Sequence, residues 1–253
     1  MGRQAGDNDI ISTTKGTTMQ NRYAGDIGDY GKLGLLRCLS RTGLKIGVNW
    51  YLTPNEDNVD GRLTDYDSLR SCDEVLWRKL REIVDSGQRS VDALENAGLL
   101  NAAYYHAVLD LGKTTDRSSF REKWHSDALA RLADADIVFL DPDNGLMVKS
   151  AERTYRANKY VTLKEIEEYC GQGASVIWYQ HKARYQNSHY RDQFRGILGM
   201  EEFRSMSGIG LMFTRVSQRY YFILMQSDHR DIIRGQVNRF LKSPWENCFS
   251  ELK

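Results

Sequence analysis

The chain has 253 residues, which suits one large α/β domain with a sizeable core. Hydrophobic residues make up 41% and charged residues 27%, no apolar run approaches the roughly 18 residues of a membrane span, and no signal peptide is expected. With 35 Lys and Arg against 34 Asp and Glu the net charge is +1, which excludes a uniformly basic or acidic protein and leaves any nucleic-acid contact to local patches.

Residues 1–18 are rich in Gly, Ser, Thr and Asp and read as a flexible extension, so that 19–253 form a single catalytic domain and Met19 could serve as a start. Asn21 to Lys32 (Asn-Arg-Tyr-Ala-Gly-Asp-Ile-Gly-Asp-Tyr-Gly-Lys) is a loop-to-helix junction. It crowds Gly25, Gly28 and Gly31 beside Asp26, Asp29, Tyr23, Tyr30 and Lys32. Glycines permit close backbone approach and a helix N-terminus favours anions, so this reads as a substrate or phosphate loop. The plainer reading is a helix entrance whose acids match the dipole. The spacing predicts a helix over 30–40, a strand over 45–52 and a long acidic loop over 53–67. Ser71-x-x-Glu74 has the capping-box pattern for a helix to Val84. Ser90–Asn96 is a short helix closed by Gly98, 102–109 a strand, and Ser119-x-x-Glu122 a second capping box for a helix to Leu132.

Ile137–Leu140 is a continuous apolar run that ends in Asp141-Pro142-Asp143-Asn144-Gly145. Buried parallel strands read as such runs, and chemistry in open α/β sheets sits beyond their carboxyl ends. Asp141, Asp143 and Asn144 thus stand where a ligand would bind. Thr162-x-x-Glu165 caps a further helix to Tyr169, with Gly171 at its end, and Ser175–Gln180 is a second buried-type strand that runs into Gln180-His181-Lys182-Ala183-Arg184. A histidine at a strand's carboxyl end can act as acid, base or anion stabiliser, although one alone is more often a satisfied polar residue. The acidic turn on a neighbouring strand raises His181 to a site candidate. A helix over 188–198, a hairpin of 209–214 with 220–225, and a helix over 227–241 complete the chain.

Strands alternating with helices imply a single three-layer α/β domain with a mainly parallel sheet, closed by a C-terminal β-hairpin and helix. There is no P-loop, no Gly-x-Gly-x-x-Gly after the first strand, no Gly-x-Ser-x-Gly and no His-Glu-x-x-His, so no dinucleotide cofactor or zinc centre is expected. Cys38, Cys72, Cys170 and Cys248 are scattered without metal-ligand spacing and suit a reducing cytoplasm. Aromatic and basic residues interleave at Arg153–Arg156, Lys159-Tyr160, Lys182–Tyr185, His189–Arg191 and Arg219-Tyr220, as suits phosphates and stacked bases.

At 21–36, 139–146 and 176–184 the chain resembles a family of uncharacterised bacterial proteins, and more distantly the Rossmann-type adenine-N6 methyltransferases of nucleic acid. In those enzymes an Asp/Asn-Pro-Pro-aromatic turn follows a core strand, and a β-hairpin ends the sheet. Here Asp141-Pro142 opens the turn, but Asp143 and Asn144 replace the second proline and the base-stacking ring. A second resemblance is to uracil-type DNA glycosylases, whose strand-end Asp-Pro turn places water, whose amide reads the base and whose His stabilises the departing base. Asp141, Pro142, Asn144 and His181 supply the same types. A weaker likeness is to phage-defence glycosylases that remove glucosylated hydroxymethylcytosine.

Together these readings lead to the expectation of a cytoplasmic nucleic-acid-directed hydrolase, a DNA glycosylase, that needs no metal or organic cofactor and acts on DNA more than RNA. Asp141, Asp143 and His181 would be catalytic. Asn144, Asp26, Asp29, Tyr30, Lys32, Gln180 and Arg184 would bind substrate. The alternatives are an S-adenosylmethionine-dependent methyltransferase with a divergent cofactor loop, and a binding module without activity.

Overall fold

The computed structural model describes residue 21, residues 23–54 and residues 61–253. The expected N-terminal extension lies outside the described residues, as does the middle of the acidic loop. A seven-stranded mixed sheet is sandwiched between two helix layers. In chain order its strands are β1 (Ile46–Asn49), β2 (Ala102–Tyr105), β3 (Ile137–Leu140), β6 (Ser175–His181), β7 (Ser207–Phe213), β8 (Arg219–Met225) and β9 (Phe249–Glu251). The spatial order is β2-β1-β3-β6-β8-β7-β9. The first four neighbours are parallel, and β8, β7 and β9 pair antiparallel in turn. Short β4 (Gly145–Leu146) and β5 (Tyr160–Val161) form a separate parallel pair.

Strand alternation divides the core. Ile137, Phe139, Ile177, Tyr221 and Ile223 face α1 (Ile27–Ser40), α2 (Glu74–Asp85), α3 (Val91–Asn96) and α7 (Arg230–Phe240). Val138, Leu140, Val176, Trp178 and Phe222 face α4 (Arg117–Arg131), α5 (Leu163–Gly171) and α6 (Asn187–Leu198). The central strands are apolar on both faces because both are covered. The chain passes from β1 outward to β2 under α2 and α3, then returns under α4 to β3 on the other side of β1. Strand order therefore reverses between β1 and β3. In doubly wound sheets the crevice outside the carboxyl ends of the strands at such a reversal is where ligands bind.

Two of the expected helix caps differ. Asp73 rather than Ser71 caps α2, accepting from Leu76 N at 3.0 Å, and Ser71 lies in a 3-10 turn over 67–72. Asp116 rather than Ser119 caps α4, accepting from Ser119 N at 3.0 Å. In each case an aspartate sets the helix start, two residues later than expected at Asp73 and three residues earlier at Asp116, because its carboxylate accepts well from an orphan N–H of the first turn. The Thr162 box is formed in full: Glu165 N donates to Thr162 at 3.1 Å and Thr162 N donates to Glu165 at 2.8 Å. Strand β1 stops at Asn49, short of the expected Leu52, because Tyr51 turns into the left-handed region at φ 49°. Strand β9, the β4–β5 pair and the short 3-10 turns have no signal in the sequence reading; they are too brief to show periodicity.

Candidate active site at the β1–β3 reversal

Asp141 is the residue next after β3, on the face that Ile137 and Phe139 share, so it points under α1. Its N–H donates to Asn49 O on β1 at 3.0 Å, which locks the turn to the reversal point. Above it lies the first turn of α1. Asp26 is the helix N-cap and accepts from Asp29 N at 3.0 Å, while Asp29 accepts from Gly25 N at 2.9 Å. Lys32, one turn further, reaches down between the carboxylates. Its Nζ bonds Asp141 Oδ2 and lies 2.9 Å from Asp29 Oδ1, and it sits 5.4 Å from the Trp50 ring centre.

The next strands extend the same face. Leu140 pairs with Trp178, so Asp141 stands beside Tyr179. Across β6 and β8, Tyr179 faces Tyr221 and His181 faces Arg219. Arg219 is buried against the α1 terminus. A methyl group at Gly28 would lie 3.2 Å from Arg219 Nη2 and 2.9 Å from Asp26 Oδ1, so this glycine admits the guanidinium rather than a ligand phosphate. Arg219 Nη1 and the Tyr221 hydroxyl are buried and have no hydrogen-bond partner among the described residues. Buried donors of this kind are costly unless something meets them.

Three aspartates and two cations thus share one small volume, and each is nearly inaccessible: Asp26 5%, Asp29 3%, Asp141 3%, Lys32 7% and Arg219 8% exposed. Burial, and then the neighbouring Asp29, pushes Asp26 up to about 6 against the pull of Arg219. Burial alone would lower Lys32, but Asp141 and Asp29 outweigh it, so the ammonium is held above its ordinary value. Burial also pushes Asp141 up, and Lys32 opposes that rise. Asp141 with Lys32 behaves as one ion pair whose proton sits on the amine. His181 stands at the rim of the cluster; partial loss of water around its ring, then Arg219, lowers its pKa, so it is neutral near pH 7.

The expected residues divide. Asp26, Asp29, Lys32 and Asp141 come together, and His181 borders them. Asp143 and Asn144 are half-buried in the turn that follows. Gln180 lies on the other face, and its amide is taken up by backbone: Leu146 N donates to its Oε1 at 2.9 Å, and its Nε2 donates to Asn144 O at 3.0 Å and His181 O at 3.1 Å. Gly145, at φ 104°, passes so close that a Cβ would lie 2.3 Å from Gln180 Oε1. Gln180 therefore pins the turn rather than facing the cluster. Tyr30 also departs from expectation. It is a core residue, stacked 4.9 Å from Tyr66, and its hydroxyl donates to Leu69 O at 2.8 Å and accepts from Asp73 N at 3.1 Å. One position past Asp29 on a helix, it points away from the Asp29–Lys32 side. Arg184 is exposed in the segment after β6.

The sequence reading missed Trp50, Tyr179 and Tyr221, and it met Arg219 only as a basic neighbour of Tyr220. Tyr179 and His181 keep the two-residue period that puts them on the Asp141 face, which was a usable signal. Arg219 needed the hairpin register, which the sequence does not supply.

Beside the cluster run two segments free of acids. Residues 181–191 carry His181, Lys182, Arg184, His189 and Arg191, and residues 213–219 carry Arg215 and Arg219. Tyr185 is 58% exposed and stacks on His189 at 4.2 Å. At the tip of the β7–β8 hairpin Val216 is 68% exposed and held at φ 62°, a strained conformation for a β-branched residue. Among the described residues no group of three or more His, Cys, Asp or Glu could hold a metal ion, and no helix is long and apolar enough to cross a membrane.

No protein-family model matches the chain, and no curated protein matches it. The resemblances rest on the residues at 21–36, 139–146 and 176–184 alone.

Proposed function

We propose that the chain is a nucleic-acid-directed hydrolase that cleaves the N-glycosidic bond of a nucleobase in DNA, acting in the cytoplasm. The observation that carries this reading is that a buried carboxylate and buried donors converge at the strand ends. Asp141, held by Lys32, follows β3, while Arg219 on β8, whose Nη1 is unmet among the described residues, stands opposite His181 on β6. Breaking an N-glycosidic bond builds positive charge on the sugar and negative charge on the base. A fixed carboxylate stabilises the first, and buried donors aimed at the base stabilise the second. Asp141, held by Lys32, faces the sugar and orients water. Arg219 and His181 face the departing base, and Asn144 reads its edge. The basic, aromatic segments 181–191 and 213–219 receive the phosphates and a flipped nucleotide.

The methyltransferase alternative fits less well. Trp50, Tyr51 and Leu52 fill the carboxyl end of β1, and all three are buried. A nucleotide cofactor needs glycines there so that the backbone can approach it.

The test is mass spectrometry of DNA, both unmodified and carrying glucosylated or other modified bases, after incubation with the protein. A released free base with an abasic site left behind supports the reading. An added methyl group in the presence of S-adenosylmethionine moves the protein to the alternative, and tight binding with no product makes it a binding module.

A further inference from the structure

The four cysteines are free thiols, and two of them meet. Cys72 closes the 3-10 turn over 67–72, and Cys248 sits between the 3-10 turn at Pro244–Asn247 and β9. Although 176 residues apart in sequence, their sulfurs lie 4.0 Å from each other. Cys72 is half-buried and within 3.4 Å of Pro244 O, whereas Cys248 is almost fully buried. Both segments pack over α1 through the Tyr30–Trp245 contact at 5.0 Å and the Tyr30 hydroxyl bond to Leu69 O at 2.8 Å.

The surroundings divide the chemistry between the two sulfurs. The two sulfurs share one hydrogen bond, and the Arg215 guanidinium lies near Cys248, so Cys248 is pushed down to about 6. The same shared proton holds Cys72 up, so one proton leaves the pair easily and the second does not. The other thiols differ. Burial pushes Cys170 up to about 12 and raises Cys38. Among the described residues neither makes a sulfur–sulfur hydrogen bond like that of Cys72 and Cys248.

We propose that Cys72 and Cys248 form a reversible dithiol–disulfide site that reacts with hydrogen peroxide and ties the 67–72 turn to the C-terminal segment. The Cys248 thiolate attacks one peroxide oxygen. The O–O bond breaks, hydroxide leaves, and the sulfur becomes a sulfenic acid. The Cys72 sulfur then attacks that sulfur. The S–O bond breaks, and the departing hydroxide takes the Cys72 proton as water. The sum is dithiol plus hydrogen peroxide giving disulfide plus two waters; a small thiol reductant reverses it by exchange. Because the clamp spans the back of α1, whose first turn holds Asp26 and Asp29, it holds the roof of the charged cluster in place.

The test uses the full chain, folded and pre-reduced, exposed to hydrogen peroxide and then blocked with an alkylating reagent, with peptides mapped without reduction. The expected result is a linked Cys72–Cys248 peptide formed at least ~10-fold faster than any oxidation of Cys38 or Cys170, and reversed by dithiothreitol. A Cys72→Ser variant should instead accumulate sulfenic acid at Cys248, trapped by a dione reagent, with an unchanged circular dichroism spectrum. The oxidised protein should melt several degrees higher than the reduced one, because the closed loop is long. Thiols that oxidise at equal rates, or a link that forms only once the protein is unfolded, overturn the proposal.

Discussion

Asp26 holds its neighbours at a cost that a single atom exchange removes. Its carboxyl rises from 3.8 to about 6 on folding, driven first by burial and then by Asp29. The unfolded chain releases the Asp26 proton near pH 4, while the folded chain keeps it until near pH 6. Stability is therefore fully present below about pH 4 and falls as pH rises through that window. A rise from 3.8 to about 6 corresponds to about 3 kcal/mol at neutral pH. Asn cannot ionise, has nearly the same size and caps a helix as well as Asp does. Asp26→Asn also loses a favourable carboxylate–dipole contact of about 0.3–1 kcal/mol. The variant should thus be more stable than the parent by about 2 kcal/mol near pH 7.5 and nearly equal to it near pH 4. Urea denaturation at both pH values measures this. A variant that is weaker at pH 7.5, or shifted equally at both pH values, would refute the placement of Asp26 in a desolvated acidic cluster. Gain of stability with loss of turnover would mark Asp26 as a residue kept for chemistry.

Three further outcomes follow from the same geometry. Lys32→Met strands Asp29 and Asp141 in the core and should cost about 3–5 kcal/mol in urea titrations at neutral pH, with part recovered as acid protonates the carboxylates. DNA affinity should fall steeply with salt, and each of Lys182→Ala, Arg184→Ala and Arg191→Ala should flatten the log–log slope by roughly one, read by fluorescence anisotropy; a flat salt dependence counts against phosphate contacts there. Calorimetry should show no saturable S-adenosylmethionine binding at ~10 μM, because Trp50 and Tyr51 occupy the cofactor's approach.

Much of the architecture is legible from residue patterns. The continuous apolar runs at 137–140 and 175–180 are buried parallel strands, because both sheet faces are covered. Thr162-x-x-Glu165 forms its capping box as written, while Asp73 and Asp116 cap the two other helices and so shift their starts from the expected ones. Half of the site is equally legible, since Asp141 lies at a strand end and Asp26, Asp29 and Lys32 stand at three-residue steps that share a helix face. What is not legible depends on register. Arg219 enters the cluster only because β8 pairs antiparallel with β6 and sets it opposite His181. Gln180 stays out of the Asp141 cluster because the two-residue strand period turns it to the opposite face, where Leu146 N bonds its amide and Gly145 passes close by. Tyr30 stays out because its helical angle turns it into the core.

The most direct measurement compares base release by the parent and by Asp141→Asn on the same modified DNA, with folding matched by circular dichroism. Asn preserves the turn and the contact volume while removing the charge that Lys32 holds in place. The expected result is a loss of ~10²-fold or more in single-turnover rate, with a smaller loss for His181→Gln, whose amide still donates a hydrogen bond. Parent-like turnover by a normally folded Asp141→Asn protein would contradict it and place the chemistry away from the β1–β3 reversal.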